Sequence, residues 1–345
     1  MRELIQGIAA HRITALRELM PGVLVAVLVA LAAQFVADHY GAPAMLMALL
    51  FGIALNSLSD PGPTAAGIGF TARSVLRFGV AILGARVSTE MLGDLGLPMV
   101  SLILAAVAAT IGFGILAGRL IGQGPRFALL TAGAVAICGA SAAMAIAAVL
   151  PKDARSERNL LFTVLGVTVL STLAMIVYPI LVGVLGFDDT TAGAFIGATV
   201  HDVAQVVGAG FSISDRAGEV ATLVKLIRVS LLAPVVVLIA LWWRPAHGEA
   251  GGGVGQRPPI VPLFVAGFLA LAALNSLGLL PGALSGFLAR VSHWSLLAAI
   301  AAVGMKTDLR HMLQVGPGAI VLILSETLFL AALVYVGIGV FGLGP

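Results

Sequence analysis

Apolar runs of membrane-spanning length follow one another along most of this chain, with short polar interruptions between them. They cover approximately 21–37, 43–58, 71–86, 98–117, 126–150, 158–185, 190–211, 220–243, 260–274, 284–304 and 316–342. Runs near twenty residues with few charges predict transmembrane helices. Residues 1–20 follow another pattern. Leu4, Ile5, Ile8, Ile13, Leu16 and Leu19 recur at helical spacing, with Arg2, Arg12 and Arg17 off that face. This predicts an amphipathic interfacial helix leading into the first span. A cleaved signal peptide fits less well, because the charged leader is too long. The longest polar connector, 244–259, is rich in Gly and Pro and reads as a flexible linker.

Composition agrees with the pattern. Of 345 residues, 60% are hydrophobic and 10% are charged, with a mean hydropathy of +1.09. Soluble domains carry about 25% charged residues. The expectation is one all-α polytopic transmembrane domain over 21–345, with about ten or eleven membrane segments. A net charge of +3 confined to loops and helix ends fits a cytoplasmic-leaflet bias and no nucleic-acid partner. One cysteine, Cys138, excludes an intramolecular disulfide. Forty-two glycines suit close helix packing. The GxxxG pairs Gly114/Gly118 and Gly193/Gly197 serve packing either within a subunit or in a homo-oligomer.

The chain repeats itself. Ala54-Leu55-Asn56-Ser57-Leu58 recurs as Ala273-Leu274-Asn275-Ser276-Leu277, and Gly84-Ala85-Arg86 is echoed by Gly304-Met305-Lys306. The offset stays near 220 residues, which predicts repeat halves of about 43–185 and 190–342. Charge adds a constraint. Arg119 and Arg126 lie before segment 126–150, and Lys152, Arg155 and Arg158 lie after it. Both ends read as cytoplasmic. Either 126–150 is a broken hairpin, with 190–211 as its inverted counterpart, or both are full-length helices unwound at their midpoints.

Two Gly-rich elements carry the chemistry. The first reads Gly133-Ala134-Val135-Ala136-Ile137-Cys138-Gly139-Ala140-Ser141-Ala142. A break at Gly139 would start a half-helix at Ala140 or Ser141, whose amides could hold an anion; tight packing of small residues is the bland alternative. The second reads Thr199-Val200-His201-Asp202-Val203-Ala204-Gln205. Ionisable residues at membrane depth are costly and mark sites by default. His201 and Gln205 share a helix face, and His201 can exchange a proton near neutral pH. Lys225 and Arg228 follow, either snorkelling to an interface or forming a positive wall. Asn56 and Asn275 close the repeated helices, as caps or as pathway residues. Glu326, the carboxylate inside the last span, reads as packing against a polar neighbour.

The segments GAPAMLMALLFGIALN (41–56), RSVLRFGVAILGARVS (73–88), AICGASA (136–142), ATVHDVAQVVGAG (198–210) and KLIRVSLLAP (225–234) together resemble the YeiH family of bacterial membrane proteins, described as sulfate exporters. The likeness runs in order along nearly the whole chain. It implies a multi-pass inner-membrane transporter, distantly similar to the bile-acid/sodium symporter type of inverted-repeat fold. The implied substrate is a small oxyanion or organosulfonate. Where a relative has glutamate in the histidine motif, this chain has Asp202.

The resulting expectation is a secondary transporter of a small anion, proton-coupled and exporting by alternating access. Cys138, Gly139, Ala140, Ser141, Thr199, His201 and Gln205 would bind substrate. Lys225 and Arg228 would attract it, and His201 and Asp202 would couple the proton. No metal or organic cofactor is expected. A sodium-coupled importer of the same fold is the alternative. An intramembrane enzyme using Cys138 and His201 is a remote one.

Overall fold

The computed structural model describes residues 2–87, 89–151, 153–242, 263–307 and 317–341, with backbone alone for 2–16, 89–92, 94 and 317. The expected linker 244–259 lies outside them. Among the described residues every regular element is helical. The chain runs α1 (Arg2–Tyr40), α2 (Ala44–Ala54), α3 (Ala65–Phe70), α4 (Leu76–Leu83), α5 (Thr89–Leu120), α6 (Pro125–Ala136), α7 (Ala140–Val149) and α8 (Ser156–Val184). It continues through α9 (Asp189–Thr199), α10 (Val203–Ile213), α11 (Asp215–Ser230), α12 (Leu232–Trp242), α13 (Leu263–Ser276), α14 (Gly282–Lys306) and α15 (Pro317–Val340). Among the described residues, seven stretches are long and apolar enough to cross a membrane, and five shorter apolar helices join them. This is an all-α polytopic membrane protein. The N-terminal segment is helical from Arg2 and continues without interruption into the first span.

Two compact units form, each from separate stretches of chain. The first comprises Met1–Arg86 and Gly267–Asp308. Its helices approach closely through glycine, as membrane helices do when no solvent drives them together. Gly52 and Gly304 meet face to face, with no room for a Cβ on either. The contacts also recur at the sequence offset: Gly304 abuts the Leu49 carbonyl, and Gly84 abuts the Phe268 carbonyl. Gly84 and Gly304 are 220 residues apart, and Leu49 and Phe268 are 219 apart. The repeated sequence therefore builds a repeated helix contact. Asn56 donates to the carbonyls of Met305 at 2.9 Å and Thr307 at 3.1 Å, closing the C-terminus of α14. Asn275 lies in the last turn of α13.

The second unit comprises Val87–Ala266 and Leu309–Pro345. In it, the segments at 126–150 and 190–211 are both hairpins. Arg126, at the start of α6, pairs with Asp153, beyond the end of α7, at 3.3 Å. Gly133 of α6 packs against Ile146 of α7. The second hairpin packs through a third helix: Gly193 of α9 and Gly210 of α10 both rest on Ala217 of α11. Helix α8 joins the two hairpin mouths. Its 29 residues span about 43 Å at 1.5 Å each, so the hairpins enter from opposite ends of α8. The glycine pairs serve packing inside the chain here. Gly114 and Gly118 take Ala132 and Ala128 of α6, and Gly193 and Gly197 take Ala217 and Ala221 of α11.

At the first mouth, the Asp153 carboxyl accepts from the Arg155 amide and the Ser156 hydroxyl. These bonds, the amide first, hold it below the usual carboxylate range. Because its folded value is depressed, this clamp is intact at neutral pH and is lost as pH falls through that value.

Candidate functional site

Both hairpins break at their tips, for different local reasons. In the first, Ile137 leaves the helical region and Gly139 takes φ 63°, ψ −126°, a conformation open to glycine and strained for other residues. The Gly139 amide donates to the Ala134 carbonyl at 2.8 Å, closing α6. In the second, Val200 and Asp202 are extended. Asp202 caps α10 by accepting from the Ala204 amide at 3.1 Å. Its own amide donates to Ser171 Oγ at 3.1 Å. A Cβ on Gly139 would lie 3.6 Å from His201, so the two tips touch. Ser171 is halfway along α8, which puts the tips near mid-membrane depth.

Two half-helices therefore end at one point, and two others begin there. The last carbonyls of a helix carry no intrahelical partner and a partial negative charge. Lys225 and Arg228, on α11, supply the donors. Lys225 Nζ donates to the carbonyls of Ile137 at 2.7 Å and Val200 at 2.9 Å. Arg228 Nε and Nη2 donate to Ala136 at 3.0 and 2.7 Å, Nη2 to Val135 at 2.9 Å, and Nη1 to Gly197 and Val200 at 3.1 and 3.2 Å. Each cation binds both hairpins. Neither snorkels: Lys225 is 0% exposed and Arg228 1%. Sequence spacing gives no sign of this role, because the carbonyls lie up to 93 residues away in the chain.

The N-terminal ends differ from each other. α10 has its carboxylate cap, whereas α7 begins at Gly139 with no side-chain cap. Ala140 is half-buried and Ser141 exposed, so this uncapped end is open. Cys138 is buried, with the Ala142 amide at its sulfur. Thr199 is buried and donates to its own helix at the Phe195 carbonyl, 2.7 Å away. His201 is fully buried. Its Nε2 lies 2.9 Å from Thr327 Oγ1 of α15, the Val135 carbonyl also faces the ring, and Nδ1 makes no hydrogen bond. Gln205 Nε2 reaches Thr172 Oγ1 at 3.4 Å, and its Oε1 is unsatisfied.

The structure thus gathers Cys138, Gly139, Ala140, Ser141, Thr199, His201, Asp202, Gln205, Lys225 and Arg228 at or beside one paired tip in the second unit. Asn56 and Asn275 belong to the first unit. Sequence reasoning did not link Thr327, Ser171 and Thr172 to the tip. Three hydroxyls halfway along otherwise apolar spans were the available signal.

Comparison with known proteins places this architecture. The family model described as conserved hypothetical protein 698 matches residues 18–323. The UPF0324 membrane protein TauZ of Paracoccus pantotrophus is 61% identical over 95% of this chain and 97% of its own length. The protein of the same name from Paracoccus denitrificans is 61% identical over 93% and 95%. A UPF0324 membrane protein of Rhizobium meliloti is 58% identical over 93% of each chain. With a family model covering most of the chain and full-length relatives at this identity, the chain belongs to the UPF0324 family of membrane proteins.

Proposed function

We propose that this protein is a secondary transporter of a small anion, and that the anion binds at the paired hairpin tips. One observation carries the reading: two basic side chains, Lys225 and Arg228, at mid-membrane depth beside an open, uncapped helix start. The two half-helix C-termini carry about −0.5 each and the two N-termini about +0.5 each, so the ends cancel. Against the one carboxylate of Asp202, Lys225 and Arg228 then bring two basic side chains to the tip. The amides at Ala140 and Ser141 and the Ser141 hydroxyl are the groups an anion would meet first. Lys225 and Arg228 act from behind, fixing the tips and setting the field. Hairpins entering from opposite ends are the devices by which transporters expose a central site alternately.

The sulfate-like oxyanion or organosulfonate class follows from the YeiH resemblance, with export across the inner membrane coupled to protons. Tetrahedral oxygens suit a ring of backbone amides and hydroxyls. In this reading His201 and Asp202 respond to the anion through the second tip.

The test is a thermal-shift screen of purified protein against sulfate, sulfite, thiosulfate, taurine and carboxylates, with and without sodium, followed by flux in proteoliposomes. Stabilisation by one sulfur oxyanion or sulfonate, weakened in His201→Ala, is the expected result. A shift that requires sodium would replace the proton with sodium as the coupling ion. Absence of both shift and flux with every anion would overturn the reading.

A further inference from the structure

The last span hides a carboxyl. Glu326 is 0% exposed and close to the midpoint of α15. It occupies a slot made for it: a Cβ on Gly114 of α5 would collide with its Oε1, and Thr131 and Ala132 of α6 form the other wall. Oε1 lies 2.9 Å from Thr131 Oγ1. Oε2 is buried with no hydrogen bond. Among the described residues no cation pairs with it.

Proton counting decides how this group is held. Thr131 Oγ1 is also 3.1 Å from the Ala128 carbonyl, and a threonine hydroxyl carries one proton. A neutral Glu326 donates to Thr131 Oγ1 while Thr131 donates to Ala128, and every proton has an acceptor. An ionised Glu326 would accept one bond from Thr131 but keep charge on a buried Oε2 that has no donor, at a cost that buried groups avoid by staying neutral. The neighbouring residue leads to the tip. Thr327 Oγ1 donates to the Ile323 carbonyl at 2.8 Å, so at 2.9 Å it accepts from His201 Nε2. Adjacent residues of α15 thus hold both hairpins, Glu326 through Thr131 of α6 and Thr327 through His201.

We infer that Glu326 is the proton-carrying carboxyl of this protein, neutral in the packed arrangement and releasing its proton to water when α6 moves away from α15. The surroundings leave it alone in this role. On the helices packed against α15, the charged residues sit toward the ends: Glu90, Asp94 and Arg119 in α5, Arg126 in α6, Glu157 and Arg158 in α8, Asp189 in α9. Tyr178 of α8 packs on Phe195. His201 bonds to Thr327, the residue next to Glu326 along α15.

The test needs no known substrate. A protonated carboxyl has a carbonyl stretch in the infrared that a carboxylate lacks. Spectra of wild-type protein in lipid nanodiscs should hold such a band at neutral pH, absent in Glu326→Gln. A wild-type minus Glu326→Gln difference that shows only a carboxylate band overturns the inference. A second arm rests on the transporter reading. In proteoliposomes, Glu326→Gln should lose anion flux driven by a pH gradient while keeping anion exchange at equal pH. Wild-type gradient dependence in that variant overturns the coupling role. If wild type moves no anion, the transporter reading fails by itself, and the infrared band still decides the proton site.

Discussion

Gly139 illustrates how one residue fixes the first tip. Its φ of 63° with ψ −126° is a conformation that side-chain-bearing residues avoid. Space is available there, since an added Cβ would meet His201 at 3.6 Å, an ordinary contact. The cost of Gly139→Ala is therefore backbone strain, about 1–3 kcal/mol. The variant should fold with a lower unfolding midpoint in detergent and weaker anion stabilisation. An unchanged midpoint would show that the tip does not depend on this conformation. Arg228 is bound by different logic. Its planar fork reaches four carbonyls in three directions, and a lysine at that position offers one nitrogen.

At the scale of elements, the two hairpins make opposite claims about sidedness. Cysteines placed at Gly124 and Asp153 flank the first mouth, and cysteines at Asp188 and Ser214 flank the second. In a Cys138→Ser background, a membrane-impermeant maleimide should label each pair from one side only, and the two pairs from opposite sides. Labelling of one pair from both sides would sink the hairpin description. Much of this was legible beforehand. Basic residues on both flanks of 126–150 pointed to a hairpin, and the breaks fell at Gly139 and within the His201 motif as the glycines suggested. The interactions across the tips were not legible. Apolar periodicity reports which face of a helix is buried, not which carbonyl ends beside it. Spacing leaves Lys225 open between snorkelling and a positive wall, because nothing local shows that its partner is Ile137, 88 residues back. Glu326 does pack against a polar neighbour, as the sequence predicts, but nothing local shows that the neighbour is Thr131, 195 residues away.

For the whole molecule, chain order and spatial order diverge. The linear repeat suggests halves near 43–185 and 190–342, whereas the compact units interleave, with the first taking both ends of the repeat offset and the second taking both hairpins. The buried cations of α11 also impose an order on assembly. Val135, Ala136 and Ile137 are synthesised 88 to 93 residues before the side chains that satisfy their carbonyls. At 5–20 residues per second, that gap is roughly 4–18 s. Hydrocarbon offers no donor in the interval, so the first hairpin has to wait beside water or the insertion machinery until α11 arrives. Cys138, the sole cysteine, sits at that tip and reports on the wait. On ribosome-arrested chains ending short of Lys225 it should react with a water-soluble maleimide, and on full-length chains it should be protected. Equal protection in both would mean that the hairpin reaches its final depth without α11.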